Sequence, residues 1–184
     1  VSIVIANTNK KRSLGEGKYN ERRAECEEGL HILQSALPGA ACLRDISAKE
    51  FKEYSHLIKN TVVKNRVAHV VYENDRVLRS VKALKEGDLL LFGKLMDESH
   101  NSLRDLYEVT GTELDELVSA FRSADGVIGS RMTGAGFGGC AVALVKTENV
   151  EACKEKVGML YKSAVGYETT FYISDAGDGA REVI

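Results

Sequence analysis

The four cysteines form no C-x-x-C pair, and the four histidines form no H-E-x-x-H. A zinc site of ordinary spacing is thereby excluded, and thiols in a reducing cytosol are the expectation. Charge of neither sign is in excess: 25 Lys and Arg stand against 27 Asp and Glu, a formal net charge of −2. That balance excludes a general nucleic-acid or anionic-membrane binder, which carries a basic surplus. Apolar runs are short; Cys140–Val145 falls far below the ~20 residues of a membrane helix. No basic segment precedes an apolar one at the start, so a signal peptide is not expected. The chain opens without Met and directly in strand-like sequence, which suggests that it begins inside a longer protein. Repeats, low-complexity tracts and dividing linkers are also absent. What remains, 184 residues of which 43% are hydrophobic and 28% charged, describes a soluble globular protein of one domain or two small ones. It is long enough to bury a core without disulfides or metal.

The single proline leaves long helices uninterrupted. Val1–Ala6, rich in β-branched residues, reads as a buried strand, and Asn7–Lys18 as a polar loop. A helix is expected from Tyr19, with Cys26, Leu30, Leu33 and Leu37 on its apolar stripe and Pro38-Gly39 beyond its end. The run Glu21–Glu28 reads as a solvated face of opposed charges. Ser47–Glu50 and Thr112–Asp115 both have the pattern of a capping box. Between them, Val67, Val70, Val71, Leu78 and Val81 mark one face of a helix over about 60–85. Leu91, Leu95, Ser99 and Leu103 mark the next helix, and Leu114, Leu117, Val118 and Phe121 the one after. Cys140–Val145 reads as a strand buried on both faces. Val150, Cys153, Val157 and Leu160 form a last helix, Glu168–Ile173 a last strand, and 175–179 a flexible tail. Strands at both ends with helices between them imply α+β layers.

The informative feature is Arg131-Met-Thr-Gly-Ala-Gly-Phe-Gly-Gly139. Successive residues without Cβ let backbone N–H groups converge into a concavity that accepts phosphate oxygens. The string satisfies G-x-G-x-x-G, but the dinucleotide fingerprint needs strand, glycines, then helix, and here the glycines lead into a strand. A protein-kinase reading fails for want of D-F-G, and no Walker A loop is present. A tight turn that only permits close packing explains the glycines equally well. In the polar loop, Tyr19 could present its hydroxyl to a polyol or pack on the helix that it begins, while Asn7 and Asn9 could stiffen the loop. Ser99 and His100 could form a hydrogen-bonded pair, although Ser99 falls on a buried stripe. Tyr72, Tyr107 and Tyr172 read as core or rim aromatics. Asp45, Asp88, Asp105 and Asp125 are candidate acids that no context singles out.

Arg131–Cys140 with its apolar strand resembles the third motif of the GHMP small-molecule kinases. Asn7-Thr-Asn-Lys-Lys-Arg-Ser-Leu followed by Tyr19-Asn-Glu-Arg-Arg23, and Glu98–Asp105 followed by Tyr107-Glu-Val-Thr110, resemble segments of the galactokinase family within that group. The resemblance covers the whole chain in order. It implies a ferredoxin-like α+β sandwich with additional helices, a single C-terminal GHMP kinase domain over 1–184. It implies transfer of the ATP γ-phosphoryl group to the C1 hydroxyl of α-D-galactose, with Mg²⁺, in the cytoplasm. By motif, Tyr19 matches a sugar-contacting tyrosine, and Thr133, Gly134, Ala135, Gly136, Phe137, Gly138 and Gly139 the loop near the phosphates. The family's serine-rich phosphate loop, catalytic aspartate and galactose signature have no counterpart here. The partners implied are therefore galactose, ATP and an N-terminal domain of the same enzyme that carries the catalytic residues and metal ligands. This chain alone is expected to be inactive. A sugar and ATP sensor acting on a regulatory partner, a sibling sugar kinase, and a stand-alone ferredoxin-like ligand domain are the alternatives.

Overall fold

A computed structural model describes residues 1–10, 16–177 and 179. Ten regular elements run β1 (Ser2–Asn7), α1 (Glu16–Gln34), α2 (Ala48–Tyr54), α3 (Thr61–Lys85), α4 (Leu89–Ser102), α5 (Thr112–Ser123), β2 (Val127–Thr133), β3 (Cys140–Val145), α6 (Val150–Val165) and β4 (Thr170–Ser174). The strands form one antiparallel sheet in the order β2-β3-β1-β4. With α5 before β2 and α6 before β4, this is the ferredoxin-like arrangement, into which α1–α4 are inserted.

Period-two alternation decides which face of the sheet is dry. On β1, Ser2, Val4 and Ala6 are buried while Ile3, Ile5 and Asn7 are half-buried. The dry face meets Leu117, Val118 and Phe121 of α5 and Val150, Cys153, Val157 and Tyr161 of α6. A second core, built on Leu33, Phe51, Ile58, Val63, Val67 and Val71, holds α1, α2 and α3 together. A small third cluster of Leu103, Val109, Leu114 and Met132, flanked by Tyr107 and Phe137, joins the two.

Strand β2 lies at a sheet edge, and α4 covers it. Asp97 Oδ1 accepts the Ser130 N–H at 3.0 Å and His100 Nδ1 accepts the Met132 N–H at 3.2 Å. A helix i, i+3 pair thus serves the alternate amides that an edge strand leaves unpaired. The backbones approach closely enough that a Cβ on Gly93 would overlap the Ile128 carbonyl, and one on Gly129 would overlap Gly93 itself.

Several expectations need correction. The N-terminal loop is shorter than Asn7–Lys18, because α1 begins at Glu16; residues 11–15 of that motif lie outside the described residues, as does Asp178 of the expected tail. Thr112 is no cap: Gly111, at φ 90°, precedes the first turn of α5 and offers no side chain. Ser47 and Glu50 do form a capping box. Leu78 and Val81 are 72% and 45% exposed, because the second half of α3 runs beyond α1 and α2 and borders a groove. Leu160 is also exposed, and Tyr161 takes its place in the core. On β3, Cys140 and Val142 are only half-buried. Strand β2 escapes the hydrophobic pattern altogether.

Candidate functional site

The β2–β3 hairpin closes at Thr133 opposite Cys140, leaving 134–139 as its loop. Gly134, Gly136, Gly138 and Gly139 all have φ between 84° and 118°, the left-handed side that side chains resist. Phe137 also sits there, at φ 58°. That strain is held by its N–H, which donates to the Val109 carbonyl at 2.8 Å, and by its ring in the third cluster. Gly136 lies so close to the same carbonyl that a Cβ would overlap it. Gly139 accepts the Thr8 N–H at 2.8 Å, and the buried Tyr161 hydroxyl donates to the Thr8 carbonyl at 2.7 Å. Asn9 secures the strand end, its Nδ2 donating to the Glu168 carbonyl and Thr170 Oγ1 at 2.9 and 3.0 Å.

The loop is therefore pinned from beneath and open above. Thr133, Gly134 and Ala135 are exposed, and Gly136, Phe137 and Gly139 half-buried. Among the described residues, no hydrogen bond takes the N–H of Gly134, Ala135, Gly136, Gly138 or Gly139. Lys10 crosses Gly138, where a Cβ would meet its side chain at 3.2 Å, and its ammonium pairs with Glu113 at 2.9 Å. Burial works to raise the Glu113 carboxyl, but the hydrogen bond and charge of Lys10 outweigh it and hold the group below its ordinary value. The same ammonium stands 4.0 Å from where a Gly111 Cβ would be, so the start of α5 opens beside the loop. Free amides, one cation and the positive end of a helix form a set that suits phosphate oxygens.

The turn beneath this loop is held by Arg22, which a solvated-face reading of Glu21–Glu28 missed, and by Arg66 of α3. Arg22 and Arg66 are 5% and 2% exposed. Arg66 donates to the Leu106 carbonyl at 2.6 Å, and Arg22 to the Tyr107 carbonyl at 2.6 Å and the Glu108 carbonyl at 3.4 Å. These are the orphan carbonyls where α4 ends in a single π turn, and a cation is favoured there. Glu25 and Glu108 neutralise the pair. The Glu108 carboxyl is held below its ordinary value, chiefly by its hydrogen bond from Arg66. Tyr19, 61% exposed, stands one turn before Arg22 on α1. Arg22, through Glu108 and Val109, is tied to Phe137, whereas Tyr19 itself is no part of the loop.

The remaining candidates serve structure. Ser99 and His100 do not pair with each other: Ser99 Oγ donates to Glu73 at 2.6 Å, and His100 meets β2. Asp45 accepts the Ala41 and Cys42 amides, Asp88 caps α4 and Asp105 pairs with Arg104, while Asp125 is exposed. Tyr107 stacks on His69 at 4.5 Å, Tyr72 packs edge-on to Phe51, and Tyr172 is exposed. Among the described residues no three His, Cys, Asp or Glu side chains gather to hold a metal ion. A concavity of about 470 Å³ is a mainly apolar groove between the second half of α3, α4 and the half-buried sheet face. Val77, Val81, Leu84, Phe92 and Val142 line it, and it reaches the glycine loop only at Thr133. The phosphate-suited chemistry is at the loop, so the loop is the candidate site and the groove its neighbour.

The chain is similar to known proteins over nearly its whole length. Residues 80–162 match the family described as GHMP kinases C terminal. A galactokinase of Clostridium beijerinckii is 52% identical over 181 residues, 98% of this chain and 46% of its own length. One of Fusobacterium nucleatum is 49% identical over 183 residues, 100% of this chain and 47% of its own. A crystal structure of Lactococcus lactis galactokinase complexed with galactose superposes with a TM-score of 0.93 at 47% identity, over 99% of this chain and 47% of that one. This chain thus spans about half the length of the relatives it matches. Sequence, sheet order and superposition together show that it belongs to the galactokinase family of the GHMP kinases.

Proposed function

We propose that this chain supplies the wall of a galactokinase active site that receives the ATP phosphates, in an enzyme that phosphorylates the C1 hydroxyl of α-D-galactose. The observation that carries the reading is the loop from Thr133 to Gly139, fixed by Val109 and Thr8, exposed at Thr133–Ala135 and, among the described residues, with the amides of Gly134–Gly139 other than that of Phe137 left without a partner. Phosphoryl transfer depends on positioning and on stabilising charge around the γ-phosphate, and free amides beside Lys10 and the α5 N-terminus supply part of both. The residues fit ATP. Among the described residues they do not fit Mg²⁺, since Glu113, the acid that reaches Lys10 beside the loop, is held in that ion pair. Metal ligands, the catalytic base and the remaining phosphate contacts fall to the half of the enzyme outside this chain, without which this chain is inactive.

That half is the partner the groove suits. Val77, Val81 and Leu84 are each about half exposed on one strip of α3, an apolar surface that a folded enzyme covers. Docking there sets the second lobe against the sheet face and brings it up to Thr133, closing the cleft in which galactose meets Tyr19. Four free thiols agree with a cytosolic enzyme.

The test is a variant that adds charge without backbone strain. Ala135→Glu in the full-length enzyme puts a carboxylate on the exposed crest of the loop. It should raise the KM for ATP roughly tenfold or more, by like-charge repulsion, and leave the KM for galactose within about twofold. An unchanged KM for ATP removes the loop from the nucleotide site.

A further inference from the structure

One buried histidine contacts the strand that leads into the loop without reaching the loop itself. His100, in the last turn of α4, is 1% exposed. Its Nδ1 accepts the Met132 N–H, so Nδ1 carries no proton and Nε2 does. Nε2 stands 3.2 Å from Asp115 Oδ1 in the first turns of α5. The two atoms are close without the alignment of a hydrogen bond, and among the described residues neither has another partner. One ring therefore touches β2 immediately before the loop and the helix whose N-terminus opens beside it. The segment from Val109 to Gly111 closes the circuit, since the Val109 carbonyl takes the Phe137 N–H and Gly111 begins α5.

Resting on the reading of the loop as the ATP phosphate site, we infer that His100 is a positioning residue for that loop. By accepting the Met132 amide and facing Asp115, it sets where β2 delivers Thr133–Gly139 relative to α5 and Lys10. Its neutral state is what lets Nδ1 accept. Burial lowers the imidazole to about 4, and Arg122 of α5, Arg104 of the π turn and Arg131 of β2 add to this, with Asp105 opposing. Burial likewise raises the facing Asp115 carboxyl, which Thr110 and Arg104 oppose. The Met132 amide has the His100 ring as its acceptor, so a side chain without one leaves a buried donor unpaired and frees the base of the loop.

The test compares kinetic constants in the full-length enzyme. His100→Leu removes the acceptor, whereas His100→Asn keeps an oxygen near the Nδ1 position. Loss of one buried hydrogen bond should raise the KM for ATP about fivefold in His100→Leu. The KM for galactose should stay within about twofold, and His100→Asn should restore most of the loss. A purely structural role would lower thermal stability in both variants and move neither KM, which overturns the inference. The Ala135→Glu enzyme separates the two ideas. If it raises the ATP KM while a folded His100→Leu does not, the positioning role falls and the loop reading stands. If Ala135→Glu has no effect, both fall. Should His100→Leu fail to fold, ¹⁵N-histidine spectra of the unmodified enzyme decide: an unprotonated Nδ1 at neutral pH supports the inference, and a proton on Nδ1 overturns it.

Discussion

Tyr19 shows how one side chain is placed by residues far from it in sequence. It projects from the first turns of α1 with its ring 61% exposed, and three positions on, Arg22 is sunk into the carbonyls of Tyr107 and Glu108. On the proposed reading its hydroxyl meets the sugar, so that substitution by Phe removes one hydrogen bond. Tyr19→Phe in the full-length enzyme should raise the KM for galactose about two- to tenfold, the worth of one hydrogen bond, with the KM for ATP unchanged. Steady-state kinetics with each substrate varied checks it; an unchanged galactose KM takes Tyr19 out of the sugar site. The glycine run was legible because only glycine tolerates so many positive φ angles in succession. Lys10 and Arg22 were not, since what makes them special is a neighbour about a hundred residues away in one case and about eighty-five in the other.

At the scale of elements, periodicity identified what burial on one face controls. The stripes of α4 and α5 came out buried at Leu95, Ser99, Leu114, Leu117, Val118 and Phe121. The same rule failed on α3, where Leu78 and Val81 carry the apolar pattern to a surface that none of the described residues covers. It failed on β2 for a different reason. Val127-Ile-Gly-Ser-Arg-Met-Thr133 is interrupted by Gly129 and shows no clean apolar alternation, and its place in the sheet is secured by α4, through the Gly93–Gly129 approach and the Asp97 and His100 acceptors. Such long-range closure has no local signature, although an acceptor pair at i, i+3 on one helix face is the pattern to seek beside an edge strand. The family match at 80–162 likewise stops short of β1 and β4, without which β2 and β3 would have no complete sheet.

For the molecule as a whole, two buried imidazoles make acid the weak side of the stability profile. His69, whose Nδ1 lies 2.8 Å from Ser102 Oγ, and His100 are both lowered from 6.5 to about 4, in each case mainly by burial. Glu73 opposes the shift at His69, and Arg76, Arg131 and Arg66 add to it. The unfolded chain takes up protons as pH falls through 6.5, and the folded chain only near 4. Between those values the unfolded state binds more protons, so stability rises with pH across the window and is lost on acidification. Moving from pH 7 to pH 5 should cost on the order of 1–2 kcal/mol for each imidazole, seen as a lower urea midpoint. A midpoint that does not move would mean that neither ring is held neutral.

At this same scale the central claim concerns two lobes that share one triphosphate, with this chain contributing the loop amides. Hydrogen–deuterium exchange on the full-length enzyme, with and without a non-hydrolysable ATP analogue, tests it most directly. The account predicts that the analogue slows exchange of the amides from Gly134 to Gly139, which apart from Phe137 have no partner among the described residues, while galactose alone does not. Saturating analogue that protects other segments and leaves this loop exchanging at its free rate would contradict it.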